Sequence, residues 1–385
     1  MAEIKLLICS DLHVSNSANE TVEVASFVDV LKPNEGPLHD LKDFLYQNNL
    51  TCDFLVCPGD LGDAADPDSI RFGWKELADI GGICGASVLA TAGNHDLDSE
   101  RLYDKADCKG VLQGLSPQFP VLEQSLWDQY WARHYCIFKR SGIRFVLLNS
   151  CGFHESSGES AYGRLSDKTL NDLKNDLLSE SCDINVLVCH HPPQGQSEGK
   201  QGDGDYIKNG DELIHILDHG NYGDWLVIYG HKHFAKLQYS RGSANSPILL
   251  SSGSASAYPF GDYGKDGKNQ IHFVTLLVDD FNENGLLGTI ESYEWDKVNG
   301  WLPSVAEGGL PDICGFGHRP QIRVLCRQIA DAFGESDVFL NLSVLIEKFP
   351  MLRYLDPIVR KKLEYNLRHV HGIAYHGAKQ RFRKI

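Results

Sequence analysis

The chain has 385 residues, of which 42% are apolar and 23% charged, a balance typical of a globular protein with a large core. No stretch reaches the roughly 18 apolar residues that a membrane-spanning helix needs. The N-terminal apolar run is also too short and too polar for a signal peptide, so we expect no membrane association and no export.

The cysteines point to a reducing compartment. Eleven are present, and none forms a Cys-x-x-Cys pair. Several, among them Cys9, Cys57 and Cys189, lie inside apolar segments, where cysteine behaves as a small hydrophobic side chain. Since disulfides are rare in reducing compartments, we expect reduced core cysteines and a cytoplasmic protein.

The charge is spread unevenly along the chain. The formal net charge is -16, and a large acidic body repels a polyanion at long range. From Arg353 onward, however, nine Lys or Arg residues stand against only two acids, Asp356 and Glu364. This basic tail either binds a nucleic acid or forms the solvated face of a terminal helix, and the sequence leaves both open.

Short apolar segments alternate with helical patterns over most of the chain. These segments lack the polar alternation of a half-exposed strand, as expected for strands covered on both faces. Strands that alternate with helices predict an α/β fold. The predicted strands lie within residues 4–11, 52–60, 86–96, 143–150, 183–193 and 224–233, and the predicted helices within 37–49, 69–82, 166–181 and 209–220.

The pattern changes after residue 233. Three apolar segments, 246–256, 270–279 and 286–295, follow one another without intervening helices, which favours antiparallel strands that complete a sheet. Helical periodicity returns after about residue 320. We therefore predict a first domain of residues 1–318 and a helical C-terminal module of residues 319–385.

Polar side chains follow five of the predicted strands at the point where each strand ends. In open α/β sheets, ligands bind at the carboxyl ends of strands. Each motif has an ordinary alternative interpretation as a turn, but their joint occurrence at strand ends favours a shared site. The five motifs are Asp11-x-His13, Gly59-Asp60-x-x-Asp63, Gly93-Asn94-His95-Asp96, His190-His191 and Gly230-His231-x-His233.

This ordered set of motifs resembles that of the calcineurin-like metallophosphoesterases over roughly residues 3 to 295. The resemblance implies two stacked mixed β-sheets flanked by helices, a four-layer αββα sandwich with a metal centre between the sheet ends. It also implies hydrolysis of a phosphoester by direct attack of a hydroxide that bridges two metal ions. Metals in such pairs lie about 3.5 to 4 Å apart.

The resemblance assigns a role to each motif position. Asp11, His13 and His233 would hold one metal, Asn94, His190 and His231 the other, and Asp60 would bridge both. Mixed oxygen and imidazole ligands suit manganese, iron or zinc better than calcium. His190 is preferred to His191 because it comes first after the strand.

Three further residues have expected roles beside the metals. By resemblance, His95 points at the leaving oxygen and donates a proton or a hydrogen bond. Asp63 and Asp96 either orient histidines from behind or are ordinary acids of a turn or helix start. The sequence identifies no substrate-binding residue.

Several substrates stay open. Residues 132–150, 190–193, 205–217 and 247–257 are similar to the cyclic-nucleotide phosphodiesterase branch, which favours a small phosphodiester. The alternatives are a nuclease that uses the basic tail, a phosphomonoesterase, and a scaffold with a vestigial site. The C-terminal helices either form a core of their own or bind a protein partner or a second copy.

Overall fold

Two compact units make up the chain, Met1–Leu286 with Glu291–Asp312, and Leu287–Ile290 with Ile313–Ile385. The predicted boundary after residue 318 stays a prediction, and the observed division falls after Asp312. The computed structural model describes residues 2–18, 25–97, 107–153, 162–195, 205–219, 222–240, 245–259, 267–278, 285–305, 307–334 and 338–385.

The first unit is a mixed α/β structure with two stacked mixed sheets. Strands β1, β2 and β3 pair in parallel, and so do β5, β6, β7 and β9. The strands of the two sheets are β1 (Ala2–Ile8), β2 (Phe54–Cys57), β3 (Ser87–Ala90), β4 (Tyr135–Arg140), β5 (Ile143–Leu148), β6 (Ile184–Cys189), β7 (Asp224–Tyr229), β8 (Ala235–Tyr239), β9 (Ile248–Ser252), β10 (Gln270–Val278), β11 (Gly288–Asp296, of which the first three residues count with the second unit) and β12 (Gly300–Pro303). The first sheet runs β12-β11-β10-β1-β2-β3 and the second β4-β5-β6-β7-β9-β8.

The prediction that the strands after residue 233 complete a sheet in antiparallel orientation is confirmed for β10 and β11. β10 pairs antiparallel with β1, and β11 with β12. For β9 the expectation is wrong, because β9 runs parallel to β7. The reason is a strand that the sequence analysis does not predict, β8, which pairs antiparallel with β9. The chain reverses direction once between β7 and β8 and again between β8 and β9, so β9 runs in the same direction as β7.

The second helix of the first unit is capped at both ends by residues next to it in the sequence. The Asp66 side chain accepts a hydrogen bond from the Ser69 backbone N–H at 2.9 Å and caps the second helix. That helix ends at Gly85, which adopts the left-handed conformation common after helix ends. The helices are α1 (Pro37–Gln47), α2 (Pro67–Cys84), α3 (Cys108–Gln113), α4 (Gln124–Arg133), α5 (Asp167–Ser179) and α6 (Gly210–Leu217).

Burial explains why the strand sequences are continuously apolar. Every residue of β5 and of β6 is buried. On one face of their sheet, Leu173 of α5 and Leu213 of α6 pack in a common core with Leu187 of β6. Strands covered in this way need no polar face.

The second unit is not purely helical, which corrects the sequence prediction. Its three α-helices are accompanied by a three-stranded sheet in the order β14-β16-β15. Leu345, Leu363 and Phe382 are among the buried residues of its core. Its elements are β13 (Ile313–Phe316), α7 (Ile322–Asp331), β14 (Phe339–Asn341), α8 (Leu342–Lys348), a 3-10 helix (Pro350–Tyr354), α9 (Pro357–His371), β15 (Ile373–His376) and β16 (Arg381–Lys384), with a short 3-10 turn (Gly377–Lys379) before β16.

None of the helices in the described part of the chain combines the length and the apolar character needed to cross a bilayer. None of the eleven cysteines forms a disulfide, and Cys182 is the one that is only partly buried.

His272 of β10 should make the first unit sensitive to acid. Its Nδ1 lies 2.8 Å from the Ser292 hydroxyl, and its Nε2 lies 3.0 Å from the Ser252 carbonyl. Burial lowers the pKa of His272 from 6.5 to about 4. The unfolded chain therefore binds this proton more readily, so stability is complete above about pH 6.5 and is lost as the pH falls towards 4.

A His272→Gln variant should lose this part of the pH dependence, which is worth roughly 3 kcal/mol across the window. The amide keeps a donor and an acceptor without a titrating proton. Urea unfolding at pH 7.5, 5.5 and 4.5, with chelator present throughout, measures the difference from wild type. His39→Gln on α1 is the control, and identical pH slopes for wild type and His272→Gln would contradict the assignment.

Candidate metal centre

In each of five strands, a predicted site residue lies within four residues after the end of the strand. The parallel pairing of β1, β2 and β3, and of β6 and β7, brings these strand ends to the same edge of each sheet. The residues are Asp11 after β1, Asp60 after β2, Asn94 after β3, His190 after β6 and His231 after β7.

The backbone at these strand ends adopts a conformation that L-residues seldom use. Left-handed non-glycine residues carry a local energetic cost and concentrate at functional sites. Five residues of the predicted metal-ligand set have positive φ: Asp11 (51°), His13 (45°), Asp60 (55°), His231 (69°) and His233 (51°).

One group of side chains converges around Asp11. The potential ligand atoms of Asp11, His13, Asp60 and His233 all lie within 4.8 Å of one another. His13 Nε2 is 3.2 Å from Asp60 Oδ2, and His233 Nε2 is 3.4 Å from Asp11 Oδ1. The two Nε2 atoms are 2.9 Å apart. The structure thus brings together the residues predicted for the first metal.

A second group surrounds Asn94. Its Oδ1 lies 2.8 Å from His190 Nε2 and 3.0 Å from His231 Nδ1. His190 Nε2 is also 3.2 Å from Asp60 Oδ2. Asp60 therefore contacts both groups through the same oxygen, which is the geometry expected of a bridging carboxylate.

The atoms that face one another in these groups are mostly acceptors. His13 Nδ1 contacts the Asp63 carboxylate at 3.3 Å, and His190 Nδ1 contacts the Pro58 carbonyl at 3.0 Å. Both partners can only accept, so each Nδ1 carries a hydrogen, and on a neutral ring each Nε2 presents a lone pair. These lone pairs point at Asp60 Oδ2, an arrangement that is repulsive unless a proton or a cation lies between. The donor set therefore fits divalent cations.

The electrostatics of the site agree with this fit. Asp11 and Asp60 are almost completely buried. Burial alone would raise the pKa of Asp60, but His190, His95 and His13 hold it well below its usual range. Burial would lower the pKa of His13, but Asp60 and Asp63 raise it to about 10. The carboxylates thus attract positive charge into a region with little water.

Asp63 contacts two of the histidines. Its Oδ1 lies 2.7 Å from His95 Nδ1 and 3.3 Å from His13 Nδ1. The His95 side chain is 40% exposed, whereas that of His13 is 4% exposed. Asp63 therefore fixes the orientation of two rings, that of buried His13 in the first group and that of His95, which faces solvent.

Asp96 makes the contacts of the second of its two predicted roles, that of an acid in a turn. Its carboxylate accepts hydrogen bonds from four backbone N–H groups at 2.7 to 3.2 Å, those of Asp60, Leu61, Gly62 and Gly93. It thus holds the backbone that carries Asp60, instead of orienting a histidine ring. Burial and the charge of Asp60 raise the pKa of Asp96 to about 6.

At two glycines of the motifs, neighbouring atoms lie too close to leave room for a side chain. A Cβ on Gly93 would collide with the Asp60 side chain and with its backbone nitrogen. A Cβ on Gly230 would collide with the Asp11 carboxylate and lie 2.8 Å from Ser10 Oγ. Any side chain at either position would displace a carboxylate of the site.

Three residues that the sequence did not assign to the site also support it. Ser10 Oγ donates to Asp11 Oδ2 at 2.5 Å, and Ser254 Oγ donates to the Asp11 carbonyl at 2.6 Å. His191 is buried with its Nδ1 2.9 Å from Ser150 Oγ, and its ring centre is 4.5 Å from that of His231. His191 was identified in the sequence only as the less favoured alternative to His190.

The two stacked mixed sheets, with candidate metal ligands at their strand ends, form a metallophosphoesterase architecture. The family model for calcineurin-like phosphoesterases matches residues 4–235, more than half of the chain, so the protein belongs to the calcineurin-like phosphoesterase family. A second family model, wHTH-Calcineurin_assc, matches residues 314–369.

Particular relatives are distant. The chain is 23% identical over 238 residues to a protein of Rhodococcus erythropolis named "Probable cyclic nucleotide phosphodiesterase", covering 58% of this chain. It is 25% identical over 158 residues to a cAMP/cGMP dual specificity phosphodiesterase of Mycobacterium tuberculosis, covering 40% of this chain. The matches span 65% and 42% of those two proteins, less than two thirds of each.

The fold is also similar to that of a solved structure, the purple acid phosphatase PPD1 from yellow lupin. The two share a TM-score of 0.52 and 14% identity over 82% of this chain and 54% of the phosphatase. At this identity the likeness concerns the fold alone.

Proposed function

We propose that this protein is a metal-dependent phosphoric ester hydrolase that cleaves a phosphodiester in a small or cyclic-nucleotide-like substrate. The observation that carries the proposal is the position of the Asp60 carboxylate between two groups of metal-ligand atoms. The phosphodiesterase names of the two relatives support the substrate class.

Seven residues would hold two divalent ions. Carboxylate, carboxamide and imidazole ligands suit manganese, iron or zinc. When bound, the two ions supply Lewis acidity towards a phosphoryl group and lower the pKa of a water molecule. The first set is Asp11, His13, Asp60 and His233, and the second is Asp60, Asn94, His190 and His231.

His95 is the residue that we propose to act on the leaving group. Since Asp63 accepts from its Nδ1, the opposite nitrogen, Nε2, is the one that can donate when the ring is protonated. The partial exposure of the ring gives a substrate access to it, while the backbone N–H of His95 donates to Asp60 Oδ1 at 2.9 Å. His95 is thus tied by its backbone to the bridging carboxylate and by its ring to Asp63.

A substrate panel tests this proposal. The metal-free protein would be reloaded with manganese, iron or zinc and given bis-p-nitrophenyl phosphate, p-nitrophenyl phosphate, 3′,5′-cyclic nucleotides and single-stranded DNA. We expect metal-dependent cleavage of the diester and of at least one cyclic nucleotide, well above that of the monoester. Preference for the monoester, or no turnover with any metal, would contradict the proposal.

A nuclease is the second candidate, because the basic C-terminal segment offers a surface for a polyanion. In the same panel, cleavage of DNA in preference to cyclic nucleotides would favour it. A protein partner or self-association through the C-terminal helices also stays a proposal. Some of their apolar side chains, such as Leu325, Leu345 and Leu367, are already buried in the core of the second unit.

A further inference from the structure

Two loop segments beside the second ligand group carry aromatic and cationic side chains. One lies between β5 and α5 and contains Tyr162, and the other lies between β6 and α6 and contains Tyr206 and Lys208. The segments are joined at Gly163, whose backbone N–H donates to the Tyr206 carbonyl at 3.2 Å and whose carbonyl accepts from the Lys208 N–H at 2.8 Å. We call this paired structure, residues 162–164 and 205–208, the tyrosine wall.

The tyrosine wall lies against the second ligand group. The Ile207 N–H donates to the Pro192 carbonyl at 2.8 Å. A Cβ on Gly163 would lie 2.9 Å from the Cβ of His191, so the backbone of the wall contacts that residue directly. The His191 ring centre is in turn 4.5 Å from that of His231, a proposed ligand of the second metal. A single residue, His191, therefore lies between the wall and the second ligand set.

An ion pair ties the wall to the metal centre from another direction. Lys232 lies between His231 and His233 in the sequence, and its Nζ is 2.6 Å from Asp205 Oδ2. Asp205 directly precedes Tyr206, and neighbouring Cα atoms are about 3.8 Å apart. Tyr206 is therefore held beside the loop that carries two of the proposed ligands.

The two tyrosine rings form the flat surface of the wall. Tyr162 and Tyr206 are both partly exposed, and their ring centres are 6.3 Å apart with an interplanar angle of 73°. The Lys208 ammonium lies over the Tyr162 ring, 4.9 Å from its centre. A Cβ on Gly195 would lie 3.4 Å from two carbon atoms of the Tyr206 ring, so a larger side chain at position 195 would cover that ring. Tyr206 is therefore the ring better placed to contact a further flat group.

We propose that Tyr206 stacks on the nucleobase of a nucleotide whose phosphate lies at the metal centre, with Tyr162 supporting the Tyr206 ring at its edge. A nucleobase is a flat heteroaromatic group, and proteins hold unpaired bases by stacking them on aromatic side chains. The one acid of the wall, Asp205, is already paired with Lys232, which leaves the wall favourable to an anionic ligand. The inference rests on the proposed function for the position of the phosphate.

The test compares two ligands that differ in the base, adenosine 5′-monophosphate and ribose 5-phosphate. Isothermal titration calorimetry would measure the affinity of each for the manganese-loaded full chain and its variants. Tyr206→Leu removes the ring, Tyr206→Phe keeps the ring without its hydroxyl, and Gly195→Leu covers the ring. Tyr46→Leu is the matched control, because Tyr46 is an exposed residue of α1. Elemental analysis and circular dichroism would verify metal content and folding.

We expect wild type to bind adenosine 5′-monophosphate at least about tenfold more tightly than ribose 5-phosphate, which is the order of affinity that base stacking contributes. Tyr206→Leu and Gly195→Leu should lose most of this difference while binding ribose 5-phosphate as wild type does. Tyr206→Phe and Tyr46→Leu should keep the difference, because both retain an open ring at position 206.

Equal affinities of wild type for the two ligands would overturn the inference without the need for any variant. A difference that survives in both Tyr206→Leu and Gly195→Leu would also overturn it, because the base would then bind elsewhere.

These outcomes are separable from a failure of the proposed hydrolysis, since calorimetry measures binding and the substrate panel measures turnover. If the protein cleaved bis-p-nitrophenyl phosphate but bound the two ligands equally, the role of Tyr206 would be refuted and the hydrolysis would stand. If it cleaved no diester but showed the difference that depends on Tyr206, the hydrolysis would be refuted and the wall would stand as a nucleotide-binding surface.

Discussion

Replacing Asp60 with Asn should strip the protein of at least one metal ion per chain and lower phosphodiester hydrolysis at least about a thousandfold. The Asp60 carboxylate contacts His13 of one group and His190 of the other, and its negative charge helps to neutralise two divalent cations. Asn keeps the shape but removes the charge. A bound metal contributes several kcal/mol of transition-state stabilisation, and each 1.36 kcal/mol is about tenfold in rate.

Elemental analysis of the purified variant beside activity measurements would test this prediction. Asp68→Asn is the matched control, because Asp68 is an exposed residue of α2 paired with Arg71, and it should keep both metals and full activity. If Asp60→Asn retained two ions and near-normal turnover, the proposed bridging role would have to be abandoned.

The second large expected effect is a difference between two histidine variants, one of which loses turnover while keeping its metals and the other of which loses metal. His95→Ala should keep both metals and lose about 10² to 10⁴ in turnover, the range typical of a general acid or hydrogen-bond donor. His231→Ala should lose metal, because its Nδ1 lies 3.0 Å from Asn94 Oδ1 within the second group. His95 differs in that its ring contacts Asp63 and lies partly in solvent.

Metal content and rates for both variants would be compared with those of His39→Ala, which changes a partly exposed histidine of α1. Equal metal loss in His95→Ala and His231→Ala would refute the separate role of His95. Retention of both metals in His231→Ala would remove this residue from the second ligand set.

Much of the site was accessible to sequence reasoning because its residues follow continuous apolar strands. The strands before Asp11, Asp60 and His190 are recognisable from their continuous apolar sequence alone, and parallel pairing then brings their ends together. Asp63 was left undecided between two roles, and its contacts with His13 and His95 arise only once the loops fold against each other.

Other features depend on contacts that a linear sequence does not reveal. Ser254 donates to the Asp11 carbonyl across 243 positions of sequence. β8 is only five residues long and incompletely buried, so its pattern is weak. β16 consists of Arg381, Phe382, Arg383 and Lys384, and its three basic side chains resemble a solvated tail although Phe382 fills the core.

The left-handed backbone at five site residues has a consequence for how the protein tolerates change. Each such residue would relax by of order 1–2 kcal/mol if it could return to an ordinary conformation, and only the surrounding sheets prevent this. Loosening either sheet, even at a residue remote from the metals, would therefore let the loops turn their carboxylates and imidazoles out of alignment. We expect catalysis to fail before the fold does when the scaffold is weakened.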